Sequence, residues 1–254
     1  MVERPLILVS NDDGVQAQGL RCLAHWLVSL ADVIVVAPHE ARSGAACSIT
    51  TGKPVSVTRI EDTPGCRIYS CTGTPVDCVK LALDRLVPRS PALVVSGINH
   101  GDNASVSLHY SGTVGCVTEG CVRGIPSIAY SLMTRELKCD FTPYQKAVLH
   151  ITSWVLQNGL APGVFLNVNF PHVPLLQGIR VCRMARGRWE SEWDDTSCED
   201  TFRLGGHFVN LEPEADDTDY WALQHGIVSV TPLHIDVTDT PSLSQLQSLT
   251  LPIL

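Results

Sequence analysis

Four short stretches carry side chains that could do chemistry together. They are Ser10-Asn11-Asp12-Asp13-Gly14, Arg42-Ser43-Gly44, Gly97-Ile98-Asn99-His100-Gly101-Asp102-Asn103 and Tyr110-Ser111-Gly112-Thr113-Val114-Gly115. Asp12 and Asp13 are adjacent carboxylates that follow an apolar run. Two like charges at the end of a buried strand are unfavourable unless a cation neutralises them. Joined by a serine hydroxyl and asparagine amides, they form a donor set made only of oxygen. That set suits Mg²⁺, Mn²⁺ or Ca²⁺, whereas zinc favours Cys or His. The stretch from Tyr110 supplies hydroxyls and backbone N–H groups ahead of a helix, which suits a phosphate group.

Each stretch also has an ordinary alternative. One aspartate could cap the next helix while the other faces water. Arg42-Ser43-Gly44 could be a plain turn, His100 a hydrogen-bonded loop histidine, and Ser111 or Thr113 a plain N-cap. No G-x-x-x-x-G-K-[ST] occurs, and no G-x-G-x-x-G follows the first apolar run.

These residues need elements to bring them together. Leu6 to Ser10, Asp32 to Pro38, Ala92 to Gly97, Ile125 to Ala129 and Val164 to Phe170 read as buried strands. Helical faces lie between them: Gly19 to Leu30, Thr74-Pro75 through Leu86, Thr113 to Arg123, and Thr142-Pro143 to Asn158-Gly159. Pro54 to Ile60 and Arg67 to Tyr69 read as a local hairpin. Such alternation predicts a parallel sheet with helices on both faces, whose ligands bind beyond the carboxyl ends of the strands. Past Pro171 the pattern changes. Cys182 to Leu211 reads as hairpins, with Trp189 and Trp193 set among charges, and a strand returns at Gly226 to Pro232. An arm with aromatic anchors often packs on a partner.

Composition narrows the class. The chain has 254 residues and a net charge of -8, which argues against a protein that coats nucleic acid. Apolar content of 44% with 17% charged residues excludes intrinsic disorder. No apolar run approaches the length of a spanning helix. No apolar segment with a cleavage site follows Met1-Val2-Glu3, so a cytoplasmic protein with no membrane partner is expected. The ten cysteines form no C-x-x-C pair, and buried reduced thiols are the expected reading.

In this order the segments resemble the SurE (survival protein E) family of metal-dependent nucleotidases. The residues that carry the resemblance are Ser10-Asn11-Asp12-Asp13-Gly14, Val36-Ala37-Pro38, Arg42-Ser43-Gly44, Gly73-Thr74-Pro75-Val76-Asp77-Cys78, Ser96-Gly97-Ile98-Asn99-His100-Gly101 and Tyr110-Ser111-Gly112-Thr113-Val114. Leu166-Asn167-Val168-Asn169-Phe170-Pro171 and Val228-Ser229-Val230-Thr231-Pro232-Leu233 follow, so the match covers almost the whole chain. Ala45 to Thr50 and Ala104 to His109 depart from the commoner family pattern. These departures bear on base and sugar preference rather than on the metal site.

The resemblance implies a Rossmann-like three-layer α/β/α sandwich with a C-terminal β-hairpin extension for oligomerisation. It would be one domain over 1–254, with a core of about 1–180 and 226–233 and an arm of about 183–225. The implied activity is hydrolysis of nucleoside 5′- and 3′-monophosphates, with some action on short polyphosphate. One divalent cation per subunit, Mg²⁺ or Mn²⁺, would be held by Asp12, Asp13, Ser43 and Asn99, with Asp12 and Asp13 catalytic. Asn103 would sit beside the site, and Ser111, Gly112 and Thr113 would hold phosphate. A homodimer or tetramer built by arm exchange is the implied assembly.

Three competing readings differ in recognisable ways. A haloacid dehalogenase-type phosphatase needs D-x-D, whereas the carboxylates here are adjacent. A receiver domain is about half this length and needs a phospho-accepting Asp where Ser96-Gly97 stands. A pure binding module would hold nucleotide and metal without turnover.

Overall fold

The computed structural model describes residues 4–134, 136 and 138–249; Met1-Val2-Glu3, where the sequence was read for a leader, lie outside the described residues. Five apolar runs become strands β1 (Leu6–Ser10), β2 (Asp32–Pro38), β5 (Leu93–His100), β6 (Ser127–Met133) and β7 (Val164–Pro171). Strands β3 (Val57–Thr63) and β4 (Cys66–Cys71) form the expected hairpin. β8 (Gly178–Val181) and β13 (Ile227–His234) complete a nine-stranded sheet of order β3-β4-β2-β1-β5-β6-β7-β13-β8. The run from β4 to β7 is parallel throughout, while β3 and β13 run antiparallel to their neighbours β4 and β7. Taken in chain order, the parallel strands are arranged third-second-first-fourth-fifth-sixth. That is the doubly wound order, and its switch point lies between β1 and β5.

Side chains alternate across these strands with period two, which builds the two outer layers. Ile7, Val9, Val33, Val35 and Val95 share one core with Leu20, Leu23 and Leu27 of α1 (Gln18–Leu27) and Val148 and Ile151 of α4 (Gln145–Asn158). Leu6, Leu8, Ile34, Val36 and Val94 face the other way, against Cys78 and Val79 of α2 (Pro75–Leu81) and Cys116 of α3 (Gly112–Val122). The result is the expected three-layer sandwich.

Local chemistry explains the element boundaries. Thr74 caps α2 in a reciprocal capping box with Asp77, and Pro75 occupies the first turn, where its missing N–H has no role. The helix expected to run through Leu86 instead widens into a π-turn over Ala82–Leu86, where Val87 N–H donates to the Ala82 carbonyl. Val87 is extended because Pro88 follows it. β5 does not stop at Gly97. Its pairing with β6 shifts between Ser96 and Asn99, and the strand continues to His100. β6 likewise outlasts its expected end at Ala129, because Ser131, Leu132 and Met133 pair with Asn169, Phe170 and Pro171.

Beyond the sheet, β9 (Gly187–Glu190) pairs with β12 (His207–Asn210), and β10 (Trp193–Asp195) pairs with β11 (Phe202–Leu204). These are the hairpins that the sequence suggests. Two helices were not read from it, α5 (Asp219–Gln224) and α6 (Thr240–Leu246). α5 returns to pack on β13 and β7.

Candidate active site

The carboxyl ends of β1 and β5 deliver the acidic pair and the asparagine loop to the switch point. Asp12 is only 4% exposed. One of its oxygens accepts the Gly112 N–H at 3.1 Å, and the other accepts the Thr113 hydroxyl. Its own carbonyl accepts Arg42 N–H at 2.7 Å, which draws the turn bearing Ser43 up to the pair. Asp13 lies partly buried beside it and accepts the His100 N–H at 2.9 Å. Asn99 donates from its amide nitrogen to the Gly101 carbonyl at 2.8 Å, leaving the amide oxygen as its atom for a cation. Tertiary hydrogen bonds thus join Asp12, Asp13, the turn of Ser43 and the end of β5.

Burial pushes the Asp12 carboxyl above its usual range, although bonds from Thr113 and Gly112 oppose it. Burial, followed by repulsion from Asp12, pushes Asp13 up to about 6. The pair is therefore under electrostatic stress, which a divalent cation would relieve. No cluster of three or more His, Cys, Asp or Glu among the described residues could hold a metal. A cation here would need the Ser43 hydroxyl and the Asn99 amide oxygen as well as the carboxylates. Their all-oxygen chemistry fits Mg²⁺ or Mn²⁺.

Ser111 caps α3 by accepting Val114 N–H at 3.0 Å. The Gly112 N–H and the Thr113 hydroxyl are engaged by Asp12, so the positive end of α3 serves a carboxylate of the protein itself. A side chain at position 112 would not fit, because its Cβ would stand 2.7 Å from the Asp12 Cβ. His100 contributes its backbone N–H. The expected side-chain hydrogen bond is not seen at Nε2, which is buried without a partner among the described residues. Cys116, directly beneath the site, is pushed up to about 12 by burial and stays a thiol.

Asn103 is held from three sides. Its backbone N–H donates to Asn169 Oδ1 at 2.8 Å, its side-chain amide to Ser131 Oγ at 2.8 Å, and its carbonyl accepts Asn167 Nδ2 at 2.8 Å. Ser131, Asn167 and Asn169 had no structural role in the sequence reading. A signal was available: Asn167 and Asn169 alternate within an otherwise apolar strand, which places both on one face. Asp219 was also missed. It lies buried and accepts Ser105 N–H at 2.9 Å, Ala185 N–H at 2.9 Å and Tyr220 N–H at 2.7 Å.

A doubly wound α/β sheet with a carboxylate pair at its switch point, Asp12 buried and Asp13 partly so, defines a Rossmann-like protein with an acidic, oxygen-only site. The family model described as "Survival protein SurE" matches residues 7–191, and the chain belongs to that family. Among curated relatives, "5′-nucleotidase SurE" of Phocaeicola vulgatus is 49% identical over 97% of this chain and 97% of its own length. The protein of the same name from Bacteroides fragilis is 43% identical over 97% of this chain and 98% of its own. The crystal structure of SurE protein from Aquifex aeolicus superposes with a TM-score of 0.81 at 34% identity, covering 96% of this chain and 99% of that one.

Proposed function

We propose that this chain is a 5′-nucleotidase: a nucleoside 5′-monophosphate and water give a nucleoside and inorganic phosphate. The observation that carries the reading is the Asp12–Asp13 pair at the switch point, tied to the α3 N-terminus and the end of β5. The names of the curated relatives support the same reaction. Nucleoside 3′-monophosphates and short polyphosphate are proposed as further substrates, since the ester or anhydride broken has the same chemistry.

Asp12, Asp13, Ser43 and Asn99 would hold one Mg²⁺ or Mn²⁺ per subunit. When bound, the cation supplies charge neutralisation at the phosphoryl group and a more acidic attacking water. The protein's own residues do the rest. Ser111, Gly112 and Thr113 place the positive end of α3 at the site, where it holds Asp12 and favours negative charge on phosphoryl oxygens. Asn103, clamped from below, gives the substrate side a rigid wall. Positioning and electrostatic stabilisation of this kind carry most of the catalysis in phosphoryl transfer.

An arm-exchanged homodimer or tetramer is supported by the hairpin tip, where Trp193, Phe202 and Leu204 are 66%, 57% and 65% exposed. A cytoplasmic location fits a chain in which no helix among the described residues is long and apolar enough to cross a membrane.

The test is phosphate release from a panel of nucleoside monophosphates by metal-stripped protein, with Mg²⁺, Mn²⁺ or Zn²⁺ added back. Release is expected with Mg²⁺ or Mn²⁺ and is expected to be nearly abolished in Asp12→Asn. An Asp12→Asn variant that keeps most of its activity at saturating metal would refute the site assignment.

A further inference from the structure

A cleft of about 310 Å³ opens against the loop that follows Asn99. One wall is Gly101, Asp102 and Ala104; the other is three rings, Trp189, Phe208 and Tyr220. The rings come from β9, β12 and α5, elements distant in sequence. Phe208 lies 4.6 Å from Tyr220, tilted by 45°, and 6.2 Å from Trp189, edge-on at 68°. All three are half-buried, so ring area remains open to the cleft. Gly187 makes the arrangement possible, since a Cβ there would stand 2.1 Å from the Phe208 ring.

The cleft and the acidic site share one loop. Asn99, proposed to hold the cation, is three residues from Asp102, so their Cα atoms are no more than about 11 Å apart. That is the length scale of a nucleotide. The loop is anchored by Gly101 N–H to the Leu132 carbonyl at 3.0 Å. The ring wall is latched to the next turn through Asp219, which accepts Ser105, Ala185 and Tyr220 N–H together. Ser105 Oγ also donates to the Ala185 carbonyl at 2.9 Å. The rings are therefore in place before any ligand arrives, which limits the ordering that binding requires.

We propose that this cleft is the base subsite of the enzyme, in which Trp189, Phe208 and Tyr220 receive the nucleobase of a nucleoside 5′-monophosphate by stacking, with purines preferred. The inference rests on the nucleotidase reading and deepens it. Stacking accepts every base because every base has a π-face. A purine presents the larger face and gains more from three rings. The volume lies at the small end of ligand pockets, enough for a base with part of its sugar.

The test compares kcat/KM for AMP, UMP and ribose 5-phosphate, which has the same phosphate and sugar but no base. Wild type is expected to favour AMP over UMP, and both over ribose 5-phosphate. In Trp189→Ala the AMP-to-ribose-5-phosphate ratio is expected to fall by roughly 5- to 150-fold, the range for losing one stacking partner. Phe208→Leu keeps the wall filled and is expected to lower the ratio less. A purely structural lesion lowers both substrates together and leaves the ratio unchanged. An unchanged ratio in both variants therefore overturns the base subsite. Equal efficiency on AMP and ribose 5-phosphate in wild type overturns it too, while leaving phosphomonoester hydrolysis standing. Release from neither substrate removes the nucleotidase reading and the subsite with it.

Discussion

Replacing Asp13 with Asn is expected to stabilise the metal-free protein, although Asp13 is one of the residues assigned to the reaction. Burial and the neighbouring Asp12 raise the Asp13 carboxyl from 3.8 to about 6. At pH 7 the ionised group therefore opposes folding by up to about 3 kcal/mol. Partial exposure reduces this, and about 2 kcal/mol is a reasonable expectation. For a chain of this size that corresponds to a rise in Tm of about 4–8 °C in EDTA.

The sign follows from linkage. The folded pKa lies above the unfolded one, so the folded protein takes up a proton as pH falls through about 6, and the unfolded chain does so only near 3.8. Wild type should therefore gain on the variant between pH 7 and pH 4, and the difference should vanish at the lower end. Adding Mg²⁺ or Mn²⁺ at pH 7 should raise the wild-type Tm far more than that of the variant; a ligand at 100 times its Kd contributes about 2.7 kcal/mol. Thermal melts of both proteins, with and without cation at three pH values, provide the check. A variant that melts below wild type in EDTA at pH 7, or a gap that does not change with pH, would refute the claim that the pair is electrostatically stressed.

Gly112→Ala should lower phosphate release by about 100-fold with the fold intact, because its Cβ would stand 2.7 Å from Asp12 and move the carboxylate; steady-state kinetics beside circular dichroism decide it. Asn169→Ala leaves the buried Asn103 N–H without its acceptor and should destabilise by about 1–3 kcal/mol in urea titrations. Asp219→Asn puts an amide NH2 donor where a carboxylate oxygen accepts a backbone N–H, and a similar loss is expected by the same measurement. Thr74→Ala removes half of a capping box and should lower stability by about 1 kcal/mol. Burial pushes the Asp77 carboxyl of that box up, but bonds from Thr50 and Thr74 outweigh it and hold the group below its ordinary value. The stability that Asp77 contributes should thus persist above the ordinary carboxylate range and disappear as pH falls through its lowered value, read as the difference between wild type and Asp77→Asn.

Much of the molecule was legible in one dimension. Strands buried on both faces must be continuously apolar, so Leu6 to Ser10 and Asp32 to Pro38 declared themselves. Capping chemistry is local, so Thr74-Pro75 marked a helix start that the structure retains. The adjacency of Asp12 and Asp13 is a property of the chain alone, as is the all-oxygen character of the donors around them.

Other features depended on contacts between distant residues. Whether Gly97 ends β5 or is absorbed in a bulge depends on its pairing with β6, and the bulge carries Asn99 and His100 onto the strand. Gly112 and Thr113 read as donors for a phosphate, yet their partner in the fold is Asp12, about a hundred residues earlier, because the α3 N-terminus meets the end of β1. The clamp on Asn103 joins two strands and a loop, and the Asp219 latch joins α5 to residues 34 and 114 positions away. Hydrogen bonds and packing of this range have no local signature, since each is set by where the sheet places the ends of its strands. Sequence determined which chemistry was available and which segments would be strands or helices; only the tertiary structure decided which of those groups meet, because that depends on strand order and register.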